Sequence, residues 1–175
     1  MKKKLITLIL FLTINFLPNI VFAETLIVYI DLEKIVATSK AGVSIKKQVE
    51  KIHKNNITKF QKYEKTLKEE ETKIIAKKNI LNKEDFEDEI KNLREKAKTY
   101  RKERNDSIND LNKKRLDATN QLFKTLNPIL AQYSNDKSIS LIIQKKNIII
   151  GKSELDITDT ILKLLNKNIK DIKIK

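Results

Sequence analysis

Residues 76–96 read AKKNILNKEDFEDEIKNLREK, and this stretch decides whether the chain is a rod or a folded arm. Asn82 stands three residues ahead of Asp85, and Glu84, Asp85, Glu87, Asp88 and Glu89 crowd the turn that follows. An Asn able to accept a hydrogen bond from a backbone N–H, with acidic residues at the positive end of the helix dipole, marks a helix start. On the other side Lys77 and Lys78 suit the last turn of a helix that ends there. The spacing therefore predicts two helices with the chain reversing near residues 79–83.

The surrounding sequence supports that reading. Between Gly42 and Pro128 lie 85 residues, 43–127, with neither Gly nor Pro. A run this long, rich in Lys, Glu, Leu, Ile and Asn, reads as helix. Its first half places Ile45, Val49, Ile52, Asn56, Phe60, Tyr63, Leu67, Ile74 and Leu81 mostly at spacings of three, four and seven. The second half does the same with Phe86, Ile90, Leu93, Ala97, Tyr100, Leu111, Ala118, Leu122 and Leu126. Each stripe is narrow, as in a coiled coil, not the wider face of a globular core. A single helix through all of it would run about 128 Å with nothing to cover the stripe, whereas a hairpin has arms of about 55–65 Å and pairs the two stripes.

The start of the chain, MKKKLITLILFLTINFLPNIVFAE, shows three lysines, an apolar stretch from Leu5 and then Val21-Phe22-Ala23. That order is expected of a secretory signal peptide at residues 1–23, cleaved after Ala23. The alternative, an uncleaved anchor, is disfavoured because Thr13, Asn15 and Pro18 interrupt the apolar core. An exported chain of 152 residues (175 − 23) would keep 34 basic against 23 acidic residues, a net charge of +11. The 85-residue run holds 23 basic and 15 acidic residues, or +8 of that excess. With no cysteine in the sequence, the chain uses no disulfide. A small exported domain without that staple is expected to gain stability by oligomerising.

The two ends outside the run are richer in apolar residues and are expected to form a compact body, residues 24–42 and 128–175. Residues 26–32, LIVYIDL, read as a strand, followed by a short helix or turn through Glu33–Lys40. Pro128 sits where a helix begins again or bends, and the helical pattern runs on through Ile129, Leu130 and Tyr133. Ile139–Ile143 and Ile148–Ile150, separated by QKKN, read as a hairpin of two strands near 139–144 and 147–150. LDITDTILKLLNK closes with a short amphipathic helix near 157–167, with Asp156 or Thr158 as its cap. The tail from Lys170 alternates Ile and Lys, which allows a strand, but a frayed terminus is the expectation. The fold class is thus α+β: a long antiparallel helical hairpin projecting from a small β body.

The strand LIVYID, AGVSIKKQVEKI entering a helical hairpin, NPILAQYSNDKSISLIIQKKNIII, and above all LDITDTILKLLN resemble the Skp/OmpH family of periplasmic chaperones. The resemblance covers essentially the whole chain beyond the signal peptide; the charged helices add little specificity. It implies a homotrimer whose β body is shared among three chains and whose three arms enclose a cavity for unfolded outer membrane β-barrel proteins, with no nucleotide or other cofactor. Ile27, Tyr29, Leu141, Ile143, Ile148 and Ile150 are then the strand residues expected in the trimer body. Ile80, Leu81 and Phe86 at the tip, with Tyr63 and Tyr100 along the arm, are the candidates for client contact, although Tyr63, Tyr100, Phe60 and Phe86 also suit the hairpin seam. No lipopolysaccharide-binding cluster can be matched.

Other classes fit less well. A pI near 9.7 is an electrostatic footprint for phosphate, yet no motif reads base edges, so nonspecific binding of nucleic acid without a cellular role is expected. Three basic arms around one cavity favour acidic or anionic partners, anionic lipid headgroups included. A structural or adaptor coiled coil would need a sustained heptad, an anchoring cysteine or a wall-binding module. An enzyme is least expected: the one histidine, His53, lies on a polar stretch, EDFEDE reads as a solvated helix start, and Asp156 and Asp159 serve capping.

Overall fold

The computed structural model describes residues 25–174, and all structural statements concern these; the expected signal peptide lies outside them. Strand β1, Leu26–Ile30, pairs in parallel with β2, Ile139–Gln144, with Ile27 opposite Leu141 and Tyr29 opposite Ile143. A parallel pair needs a crossover, and here the crossover is the helical stretch between the strands, residues 32–136. It begins with α1, Leu32–Thr38, capped by Asp31, whose side chain accepts the Lys34 N–H at 2.8 Å.

Helix α2, Lys40–Ala76, leaves α1 through one residue, Ser39. Ser39 is fully buried, and its Oγ accepts the Gly42 N–H at 3.1 Å. The corner is so tight that a Cβ on Gly42 would stand 1.8 Å from the Val36 carbonyl oxygen, which explains the glycine by close approach. The chain reverses through residues 77–82, and α3, Lys83–Asp136, returns antiparallel to α2. Asn82 caps α3 with its Oδ1 accepting the Asp85 N–H at 2.9 Å, and Glu84 and Asp85 fill the first turn. The hairpin expected from the sequence is the arm of this fold.

Helix α3 runs on through Pro128 to Asp136, along the helical spacing of Ile129, Leu130 and Tyr133. Pro128 is exposed, so the amide it lacks leaves a carbonyl facing water and not an apolar interior. The expected strand near 147–150 is absent: residues 145–147 form a 3-10 turn and Ile148–Ile150 belong to no strand. β2 takes β1 as its partner in place of a local hairpin. On the far side, the Tyr29 carbonyl accepts the Ile157 N–H at 3.0 Å and Tyr29 bridges to Asp156, so the partnering there falls to Asp156–Ile157.

The core lies in the body. Val28 and Ile30 of β1, Ile35 of α1, Ala41 and Ile45 at the root of α2, and Ala118, Leu122 and Leu126 of α3 meet Ile157, Ile161 and Leu165 of the last helix, α4, Thr158–Asn168. The α3 residues bring a long stretch of that helix into the body, well ahead of Pro128. Asp156 Oδ1 accepts both the N–H and the hydroxyl of Thr158, and the Thr158 hydroxyl oxygen accepts the Asp31 N–H at 2.8 Å, tying the start of α4 to the end of β1.

The terminus is a second difference from what the sequence predicts. Residues 169–174 do not fray: Ile172 is 2% exposed, and Ile169 and Ile174 pack against the core.

Candidate functional site: the arm and the uncovered apolar surface of the body

Helix α2 is about 55 Å long and α3 about 80 Å, so roughly the outer two thirds of α3 face only α2. In residues 46–117 only Phe60 and Ile74 are buried. The apolar stripes read from the sequence do form the seam: Ile52, Tyr63, Leu67, Leu93, Ala97, Tyr100 and Leu111 are half-buried between the helices. Tyr100 lies edge-on to both Phe60 and Tyr63, at ring-centroid distances of 5.9 and 5.3 Å. This places Tyr63 and Tyr100 in the seam while leaving part of each ring in water. Cross-seam ion pairs Lys59–Glu103 (3.3 Å), Lys96–Glu70 (2.8 Å) and Lys77–Glu89 (2.8 Å) line the same joint.

The tip carries the most open apolar group of the arm. Ile80 is 81% exposed, whereas Leu81 and Phe86 are half-buried. Apolar residues absent from the sequence-based candidates also reach solvent along the arm, among them Ile57, Ile75, Ile108 and Leu116. Ile57 and Ile108 flank a cleft of about 490 Å³ beside the aromatic cluster, with His53, Glu64 and Arg104 at its polar edge. Both residues lie one position off the stripe, which is the sequence signal that separates them from seam residues. Hydrogen bonding and the nearby charge of Lys68 hold the Glu64 carboxyl below its ordinary value, so this edge keeps its negative charge.

In the body, the strand candidates divide. Tyr29 is buried within the chain and its hydroxyl donates to the Lys152 carbonyl at 3.1 Å. Ile143 and Ile148 are half-buried, whereas Ile27 and Leu141 are about half exposed and Ile150 is 91% exposed. Ile149, 99% exposed, belongs with them although it is not among the strand residues expected from the sequence. The same body has an open cleft of about 780 Å³ lined by Ile30, Leu32, Val36 and Phe123, with Lys145 and Lys146 at its rim. Lys145 pairs with Asp156 at 2.9 Å. Burial pushes the Asp156 carboxyl up, but hydrogen bonds from Thr158 and Lys145 outweigh it and hold the group below its ordinary value.

His53 is exposed on α2. No helix among the described residues is long and apolar enough to cross a membrane.

Comparison with known proteins places this architecture. No curated protein matches the sequence significantly. Among solved structures, the OmpH-like protein of Caulobacter crescentus CB15, described as a candidate outer membrane chaperone, superposes with a TM-score of 0.80. The match covers 86% of this chain and 89% of that one at 17% identity, and at that identity it shows a shared fold. A family profile described as outer membrane protein (OmpH-like) matches residues 26–165, from the first strand through most of α4. A match over that span, joined to the strand, the helical arm and the closing helix, shows that the chain belongs to the OmpH-like outer membrane protein family.

Proposed function

We propose that this protein is an ATP-independent holdase of the periplasm, which binds unfolded outer membrane β-barrel proteins and keeps them from aggregating. The observation that carries the reading is the arm: a long basic hairpin whose seam buries little, leaving apolar side chains such as Ile57, Ile80 and Ile108 open to water. Ile57 and Ile108 flank one cleft beside Phe60 and Tyr100, and a grouped apolar surface of this kind suits contact with an apolar segment. The excess of +8 over residues 43–127 attracts acidic chains, or anionic lipid headgroups, at long range. Scattered apolar contacts then hold an extended segment weakly, so release requires no nucleotide or other cofactor. Ile80, Leu81 and Phe86 at the tip are the first points a client meets, and the open halves of Tyr63 and Tyr100 extend the contact inward.

The body supports the homotrimer in the same reading. Exposed Ile149 and Ile150 project from one side of it, and an apolar cleft opens beside Val36 and Phe123. Knob and cleft are different patches, so the contact is head to tail, and it closes into a trimer where the rotation between copies is a third of a turn. Ile27, Leu141, Ile148 and Ile150 are then covered by a neighbouring chain, and the arms enclose a shared cavity.

Light scattering on the exported chain across a dilution series, with and without a urea-unfolded outer membrane barrel protein, tests both parts. A species of three chains that takes up one client and suppresses its turbidity supports the holdase. A stable monomer that leaves the client to precipitate overturns it and favours an adaptor coiled coil.

A further inference from the structure

The end of the chain runs back along the root of the arm. Three residues of α2, Lys40, Ser44 and Gln48, stand four apart and so share one stripe of the helix. Each grips the C-terminal segment. The Lys40 N–H donates to Asn166 Oδ1 at 2.7 Å. The Ser44 hydroxyl donates to the Asp171 carboxylate. Gln48 takes the backbone itself: its Nε2 donates to the Ile172 carbonyl at 2.8 Å, and its Oε1 accepts the Ile174 N–H at 3.0 Å. Gln48 Nε2 also reaches the Ser44 hydroxyl at 3.1 Å, which links the second grip to the third.

One carboxamide thus satisfies an N–H and a C=O of an extended segment, as an adjacent strand would. Between them Ile172 turns inward at 2% exposure, while Lys170, Asp171 and Lys173 face water. The alternation of Ile with charged residues in IKDIKI is the pattern of a half-buried extended segment. All of it past Leu165 lies beyond the residues that the family profile matches.

The two roots of the arm differ. Helix α3 enters the body unbroken and buries Leu122 and Leu126 there, so its own continuity fixes its direction. Helix α2 is joined to α1 by the single extended residue Ser39 and has no such continuity. We propose that residues 166–174 are a built-in brace that locks the root of α2 to the body and limits the angle at which the arm leaves it. The brace does not depend on what the arm holds.

Hydrogen exchange on the full chain, on Gln48→Ala, on the double variant Gln48→Ala/Asp171→Ala and on a chain ending at Asn168 tests the lock. Exchange in residues 40–52 should quicken on the order of tenfold in the shortened chain and less in Gln48→Ala, with residues 60–76 unchanged. Unchanged exchange at 40–52, or equal acceleration everywhere, overturns the proposal. Should the shortened chain fail to fold, the double variant decides by the same criterion. The angle is read with spin labels at Ile80→Cys and Glu154→Cys, specific because the chain has no cysteine, diluted in unlabelled protein. A broader distance distribution in the variants is the expected result. An unchanged one, with faster exchange at 40–52, shows a tail that only steadies the first turns of α2 and sinks the brace.

Discussion

The body and the arm use the same kinds of helix but are held together differently. In the body Ile35, Leu122, Leu126, Ile161 and Leu165 are essentially removed from water and interlock across three helices. Along the arm two helices meet at a seam one side chain wide, with Phe60 and Ile74 its only buried residues. The body thus has one interlocked core, whereas the arm is a chain of local contacts, the kind expected to open in parts. A region that opens at small cost is suited to receiving partners of variable shape.

The comparison breaks first, if it is wrong, at Leu122. Leu122→Ala is expected to destabilise the whole chain by about 2–5 kcal/mol, the range for a buried leucine that leaves a cavity. Urea denaturation followed by circular dichroism reads it. A loss well under 1 kcal/mol would show that the body is no tighter than the arm. Next in size is Gly42→Ala, because the added methyl would overlap the Val36 carbonyl and the corner must open. A loss of about 1–3 kcal/mol is expected, with the melting temperature lowered throughout.

Smaller and more local effects belong to the arm. Tyr100→Ala removes both edge-to-face contacts, each in the range of about 0.5–1.5 kcal/mol. Faster exchange should be confined to residues 56–67 and 96–104, with the body unchanged; acceleration in the body would mean that arm and body unfold as one. Smallest is Lys96→Ala, which removes one cross-seam ion pair between partly exposed groups. Less than about 1 kcal/mol is expected, and the difference from the wild type should vanish by 1 M salt.

Much of this was legible in the sequence for definite reasons. Asn82 with its following acidic residues specifies a helix start by local hydrogen bonding and charge, so the hairpin could be read without knowing its neighbours. The stripes on either side are likewise local: spacing by three and four puts Phe60, Tyr63 and Tyr100 on one face whatever that face meets. Strand pairing is different. QKKN between two apolar runs looks like a hairpin loop, yet β2 pairs with β1 more than a hundred residues earlier. Nothing within residues 139–150 records that choice.

The helical arm, its reversal near residues 79–83, its basic charge and its narrow seam were all legible in the sequence, because each depends on residues close together in the chain; the turn itself occupies residues 77–82. Three other matters depended on contacts between distant parts of the chain. These contacts joined β1 to β2 and left Ile148–Ile150 outside any strand, drew Ala118, Leu122 and Leu126 of α3 into the core, and laid the tail from Ile169 to Ile174 along α2. Each of these depends on which distant surface is near enough to bury an isoleucine or bond a backbone amide. The glutamine that holds the tail, Gln48, has no meaning in sequence until Ile172 and Ile174 lie beside it.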